Sequence, residues 1–441
     1  MTRLGAVLLV IVTAGSASSA GTSPDPKDLA IPPQELSKAR ELIKRLGSEV
    51  YREREEAHAE LAKMGRLARP VLVEAAANDA DPEVRYRCSR LLPKAGADDL
   101  KARLDTFLAD SESKYEHDLP GLKQFRKYVG TDEKARALFV EAVKSPYNVE
   151  LLQAIDKNTT ESGRAISDRR THLWSQTQQR FGPGRQPVQP RQIDLADIAI
   201  LLFAESITPA KEIPRTGIWS YVTGVNFLQQ NTSMQALNGN NVAHADAYKK
   251  IVAQWMESRD DPNDLNQLSY FAGQTLRSLP QSVPLLRKIV THEGTYGYAK
   301  GQALMHLTQQ RGKEELAFLQ KFLTNDTQVQ MVWFGQNGNQ PVQHQCLLKD
   351  VAFAYIVTLH GHNVADFGIK YPPGAVPQPN QIGYGNFAFE SEEARRKAMV
   401  KWGFMRFKHG PTGGRPKLDL TAPKKGVSSP PVPPVGGPGP R

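Results

Sequence analysis

Apolar residues recur every three or four positions along most of the chain, the spacing that gives an α-helix one buried face. Val84, Cys88, Leu91 and Leu92 make such a stripe, with Arg85, Arg87 and Arg90 mostly off it. Asp81 and Pro82 stand directly before it. A carboxylate there accepts hydrogen bonds from the first free N–H groups, and proline suits a helical position that needs no N–H. Upstream, Leu67, Val71, Leu72 and Ala75 mark a helix over Leu67–Ala77, and Tyr51–Met64 is closed by Gly65. The same reading predicts helices over Leu36–Leu46, Glu83–Leu92, Asp98–Asp110, Asp132–Lys144 and Val149–Lys157. Further on it predicts Asp194–Ser206, Trp219–Gln229, Ala243–Ser258, Asp264–Leu279, Val283–Thr291, Tyr298–Gln309 and Glu314–Leu323. Each has to bury its apolar side against neighbours.

Two stretches depart from this period. Asn158–Gln192 is polar and rich in Arg, Gln and Pro, and its FGPGRQPVQPRQ cannot sustain a helix, so it reads as a linker or long surface loop. Gln328–Leu347 alternates instead, with Val329, Met331 and Trp333 in one run and Val342, His344 and Cys346 in the next. Asn337-Gly338 between the runs signals a β-hairpin, followed by a buried helix Leu348–Leu359, a loop and a last amphipathic helix Glu390–Trp402. The low-complexity end, SSPPVPPVGGPGPR, is expected to stay disordered.

The helical stripe has an internal echo. Val84-Arg85, Cys88 and Leu92 recur as Ala299-Lys300, Ala303 and Leu307, and Asp261-Pro262 repeats the helix start of Asp81-Pro82. RLARPVLVEAAANDADPEVRYRCSRLL, with a proline in one helix, an Asp turn and Val-Arg opening the next, resembles a HEAT repeat. The resemblance covers about residues 36–95 and, more loosely, 281–323. KDVAFAYIVTLHGH, then DFG, a loop and FESEEARRKAMVKW, is similar to the C-terminal region of some exported bacterial HEAT-repeat proteins, over about residues 326–405. The resemblance implies a mainly α fold, a HEAT-like α-solenoid of stacked helix pairs. In that family the Asp and Arg commonly link neighbouring repeats, a structural role that would fall to Asp81 and Arg85, beside Pro82, Val84 and Cys88.

Arg3, the apolar run Leu4–Gly15 and the small residues ending at Ala20 follow the order of a secretory signal peptide, cleaved near Ala20. The run is shorter than the roughly 20 residues a membrane span requires. The mature chain is therefore expected to be exported, periplasmic or extracellular, without a transmembrane segment. The organisation that follows is a signal peptide at 1–20, a linker at 21–34 and a first helical block at 35–157. The Arg/Gln/Pro-rich segment at 158–192 leads into a second helical block at 193–325, a hairpin-and-helix region at 326–409 and a disordered tail at 410–441. Cys88 lies on an apolar stripe far from Cys346, so both read as buried thiols.

The net charge of +10 has a narrow origin. Arg3 supplies one charge, Arg164–Arg191 a net five and Pro411–Arg441 a net four, so the rest of the chain is neutral. No folded basic groove results, and nucleic acid is not an expected partner.

Candidate chemistry is sparse. No G-x-S-x-G, H-E-x-x-H or Walker loop occurs, and GYGNFA lacks the strand and helix that a phosphate-binding fingerprint needs. His344, Cys346, His360 and His362 offer metal-ligand chemistry, but two belong to a hairpin face and two to a helix end. No metal or cofactor is expected. Trp219, Tyr221, Trp255, Tyr270, Phe271 and Trp333 are candidates for sugar stacking, although aromatics at helical spacing more often belong to a core. Arg164, Arg169, Arg170, Arg180, Arg185 and Arg191 suit an anionic partner or a solvated loop. Together these features point to a non-catalytic protein-interaction scaffold of the bacterial cell envelope. The alternative is a polyanion- or glycan-binding envelope module acting through Arg164–Arg191.

Overall fold

A computed structural model of the chain describes residues 24–178, 180–181, 187–188, 191–214, 221–239, 242–337, 340–372 and 382–409. The expected signal peptide, the Pro-rich tail and Gly338 lie outside the described residues. The fold is mainly α, with small two-stranded sheets.

The first four helices are α1 (Pro33–Leu46), α2 (Tyr51–Met64), α3 (Arg69–Asn78) and α4 (Pro82–Ala109). Asp81 caps α4 by accepting the Glu83 N–H at 2.8 Å, with Pro82 in the first turn. Arg85 donates to the carbonyls of Asp79 and Ala80 at 2.7 and 3.1 Å. Both residues thus secure their own turn, where the resemblance implied links between repeats. Ala39, Leu42, Leu61, Leu72, Val84, Cys88, Leu91 and Ala95 meet in one apolar core.

The sequence predicts two helices where α4 is one, of 28 residues, with Pro93 inside it. A proline there removes one backbone hydrogen bond and crowds the carbonyl four residues back. Burial on both sides holds the helix together: Ala95 and the residues before it sit in the first core, and Phe107 sits in a second.

That second core is built by α5 (Leu122–Val129), α6 (Glu133–Ala142), α7 (Pro146–Lys157), α8 (Thr159–Thr177) and α9 (Leu195–Ile207). It continues through α10 (Gly224–Leu228), α11 (Asn231–Asn238), α12 (Ala245–Ser258), α13 (Pro262–Gly273), α14 (Ser282–Thr291), α15 (Gly297–Arg311) and α16 (Leu316–Gln320). The helices α5 and α11 have no counterpart in the sequence reading. LADIAILLFAESI in α9 is apolar on nearly every side and so must be surrounded. Helices α6, α7, α8, α10, α11 and α12 all pack on it. Towards the C-terminus packing is more local, α13 on α14 and α15, and α14 on α15.

Where the sequence reads as a linker or loop from Asn158, residues 159–177 form helix α8. Asn158 caps α8 by accepting the Glu161 N–H at 2.9 Å, and Ile166 and Leu173 are fully buried. Strands β1 (Arg180–Phe181) and β2 (Pro187–Val188) form a short ladder after it. The apolar core runs unbroken across the segment from Phe107 to Trp402.

The hairpin forms as expected, from β3 (Gln328–Asn337) and β4 (Gln340–Leu347). Its facing is different. The register shifts between Gln328 and Gln330, so the inward side passes from Val329 to Val332 and Phe334, and Trp333 turns out to solvent. Helix α17 (Leu348–Leu359) follows, then β5 (Ile369–Lys370), β6 (Ala388–Phe389) and α18 (Glu392–His409). The bidentate pair of Arg395 with Asp350, at 2.6 and 2.9 Å, fastens α18 to the start of α17.

Candidate functional site

The arginine-rich segment divides into inward and outward residues. Arg169 and Arg170 are buried on the face of α8 that meets α9. Arg169 donates to Asp197 at 2.6 Å and to Asn148 at 2.9 Å, with its guanidinium over the Tyr147 ring. Arg170 donates to Glu205 at 2.7 Å. Neither is a surface contact for an anionic partner, which corrects the sequence expectation. A salt-bridged arginine inside a core has the same one-letter signature as a solvated one. Arg164 and Arg191 are exposed, Arg180 enters β1 through its backbone, and Arg185 lies outside the described residues.

Glu205 lies at the centre of a buried charge cluster. Its two oxygens accept from Arg170 Nε and Trp255 Nε1, both at 2.7 Å. Arg259 stands 3.7 Å from the same carboxylate and reaches Asp264 at 3.3 Å. Burial pushes the Glu205 carboxyl up, but Arg170 and Arg259 overrule it and hold the group below its ordinary value. Gly224 opens α10 against this carboxylate, where a Cβ would come within 2.5 Å of Glu205 Oε2. With both oxygens accepting hydrogen bonds inside the core, Glu205 ties α8, α9 and α12 together.

A cavity of about 290 Å³ opens between the α6–α7 turn, α8 and the start of α9. Tyr147, Arg169, His172, Gln176, Arg191 and Asp194 line it. Tyr147 stacks on His172 with ring centroids 4.2 Å apart. The wall carries Lys144, Arg169 and Arg191 against Glu141, Asp194 and Asp197, so it offers no cationic excess for a polyanion.

The four metal-ligand candidates serve packing. His344 stacks flat on Phe334 at 4.0 Å, and Cys346 is fully buried next to it on the inner side of β4. His360 ends α17, and Gly361 (φ 84°) lets the His362 N–H return to the Val357 carbonyl at 3.2 Å. His360 and His362 both pack edge-on against Trp402. Among the described residues no group of three His, Cys, Asp or Glu side chains could hold a metal ion. Cys88 and Cys346 are free, buried thiols. Burial, with the Asp79 charge behind it, pushes the Cys88 thiol up to about 11, so little nucleophilic thiolate exists near neutrality.

The aromatic candidates also divide. Trp255 is buried on Glu205, Trp219 lies outside the described residues, and Tyr221, Tyr270 and Trp333 are exposed. Sequence reasoning omitted Tyr296 and Tyr298, at 59% and 43% exposure and stacked with centroids 5.8 Å apart. The signal was Gly297 between them. Its hypothetical Cβ would fall 1.8 Å from the Gln328 carbonyl oxygen, so glycine seats this end of α15 against β3 and leaves both rings at the surface. The Tyr296 N–H donates to Asn266 at 2.8 Å, which joins the pair to α13, the helix of Tyr270.

Comparison of the chain with protein-family models, with curated proteins and with solved structures finds no match.

Proposed function

We propose that this chain is a non-catalytic, HEAT-like helical scaffold of the bacterial cell envelope that captures a protein partner through the surface around Tyr270, Tyr296 and Tyr298. The exposed tyrosine pair at the start of α15 carries this reading. Tyrosines supply large contact area at low entropic cost and are enriched where interfaces concentrate their binding energy. The side chains best suited to chemistry, Glu205, Arg170 and Cys88, are engaged inside the cores, which supports a binding role. The Asp-Pro helix starts at Asp81 and Asp261, and the local packing of α1–α4 and α13–α15, support a repeat origin. Export rests on the Arg3 to Ala20 sequence.

The test is capture from an envelope fraction by the immobilised chain, with crosslinking and quantitative mass spectrometry. A protein partner should be retained by the wild type and by Arg164→Gln/Arg191→Gln, and lost from Tyr296→Ala/Tyr298→Ala. Loss from the arginine variant alone would instead favour the anionic-polymer alternative. Retention by both variants would remove the tyrosine surface from the function.

A further inference from the structure

Helix α18 carries exposed apolar side chains outside both cores, beside Met405, which packs partly against the larger one. Arg396, Val400 and Phe404 lie at i, i+4 and i+8, and Lys397, Lys401 and Met405 form the adjacent row. These side chains line a shallow groove of about 520 Å³. Phe404 is 68% exposed and Val400 41%, while Ala398, Trp402 and Arg395 on the opposite side are buried. The helix is therefore fixed to the fold and still presents apolar side chains outward.

The charge along this end of the chain is one-sided. From Ala394 to Leu418 the sequence holds eight Lys and Arg and no Asp or Glu. Of these, Arg395 is engaged with buried Asp350. Lys397 pairs with Glu393 at the surface, and Lys401 donates to the Asp366 carbonyl with its ammonium over the Phe367 ring. Among the described residues no helix is long and apolar enough to cross a bilayer.

We infer that α18 docks on the surface of an anionic phospholipid bilayer. Phe404 and Val400 enter the headgroup boundary, and Arg396 and Lys397 lie against lipid phosphates. Apolar side chains and cations in adjacent rows meet the two demands of such an interface, burial of apolar area and attraction to negative lipid. A purely ionic partner would require the cations and leave Phe404 in water.

The experiment is co-sedimentation of the full chain with vesicles of phosphatidylcholine, with and without phosphatidylglycerol. Binding is expected only to the vesicles containing phosphatidylglycerol. Val400→Ser/Phe404→Ser should lower the partition more than about tenfold through lost apolar burial. Arg396→Gln and Lys397→Gln should each lower it about fivefold, and added salt should weaken it. Circular dichroism checks that each variant is folded, as substitution at these exposed positions predicts. Absence of binding to phosphatidylglycerol vesicles overturns the inference. Full binding by the Val400→Ser/Phe404→Ser variant also overturns it, because attachment would then be ionic and would not use this face of α18. A wild-type dimer that this variant dissolves, seen by light scattering, would make a second copy of the chain the occupant instead.

Discussion

Arg87 illustrates how much a single side chain can conceal. By position it falls off the apolar stripe and reads as solvated. In the fold it pairs with Glu83 at 2.6 Å on its own helix and with Glu55 at 2.9 Å on α2. Arg87→Asp would set a third carboxylate against those two, and should cost about 1 kcal/mol or more even after solvent screening. Arg90→Asp, at an exposed position, should stay within about 0.5 kcal/mol. Urea melts of the two variants check this, and equal midpoints would refute the bridge. Glu205 yields a pH prediction. Its carboxyl is held below the ordinary value of 4.5, so its pairing stabilises the fold fully above that value and is lost as pH falls through the lower folded one. Glu205→Gln should therefore show a deficit that is level from about pH 7 to about pH 5 and narrows below about 4.5. Arg170→Gln, which leaves the carboxylate in place, should cost about 3–5 kcal/mol. Thermal melts across pH measure both. Residue types were plain in the sequence, whereas the burial of Arg169 and Arg170 and the bridging of Arg87 were not, because periodicity counts every arginine as polar.

At the scale of elements, most helices and the bounds of α17 were legible, since apolar spacing and Asp-Pro caps are local signals. Helix α8 was not. Its buried face is made of Ser162, Gly163, Ile166, Leu173 and two arginines, too few of them apolar to register as a stripe. The Asn158-to-Glu161 cap was the visible clue. The hairpin was legible in position but not in facing, because a one-residue bulge transfers every following side chain to the other side. Two glycines separate propensity from packing. At Gly96 in α4 a Cβ would meet nothing within 4 Å, so Gly96→Ala should stabilise the protein by about 0.5–1 kcal/mol. At Gly163 in α8 the same methyl would fall 1.9 Å from the Glu212 carbonyl oxygen, so Gly163→Ala should destabilise despite the better helix former. A rise in the denaturant midpoint of Gly163→Ala would contradict the α8 packing, and a fall in that of Gly96→Ala would contradict the open site in α4.

Across the whole molecule, the division of the core departs from the composition of the chain. The sequence changes character at 158–192, yet among the described residues the buried apolar side chains divide between Ala95 and Phe107, inside α4. Composition marks where a chain becomes polar, and a division that runs through a continuous amphipathic helix leaves no such mark. Val84→Asp would bury an unpaired carboxylate in the smaller core and should cost several kcal/mol there. In hydrogen exchange the amides of α1 to α3 should lose protection while those of α9 and α17 keep it. Uniform loss along the chain would mean that the two cores unfold as one. Helix α4 also has a mechanical meaning. Its 28 residues make a rod of about 42 Å rooted at each end in a different core. A load applied to α1–α3 by a bound partner passes along that rod to the larger body as torque. Pro93, where one rung of the backbone ladder is missing, is its point of least bending stiffness.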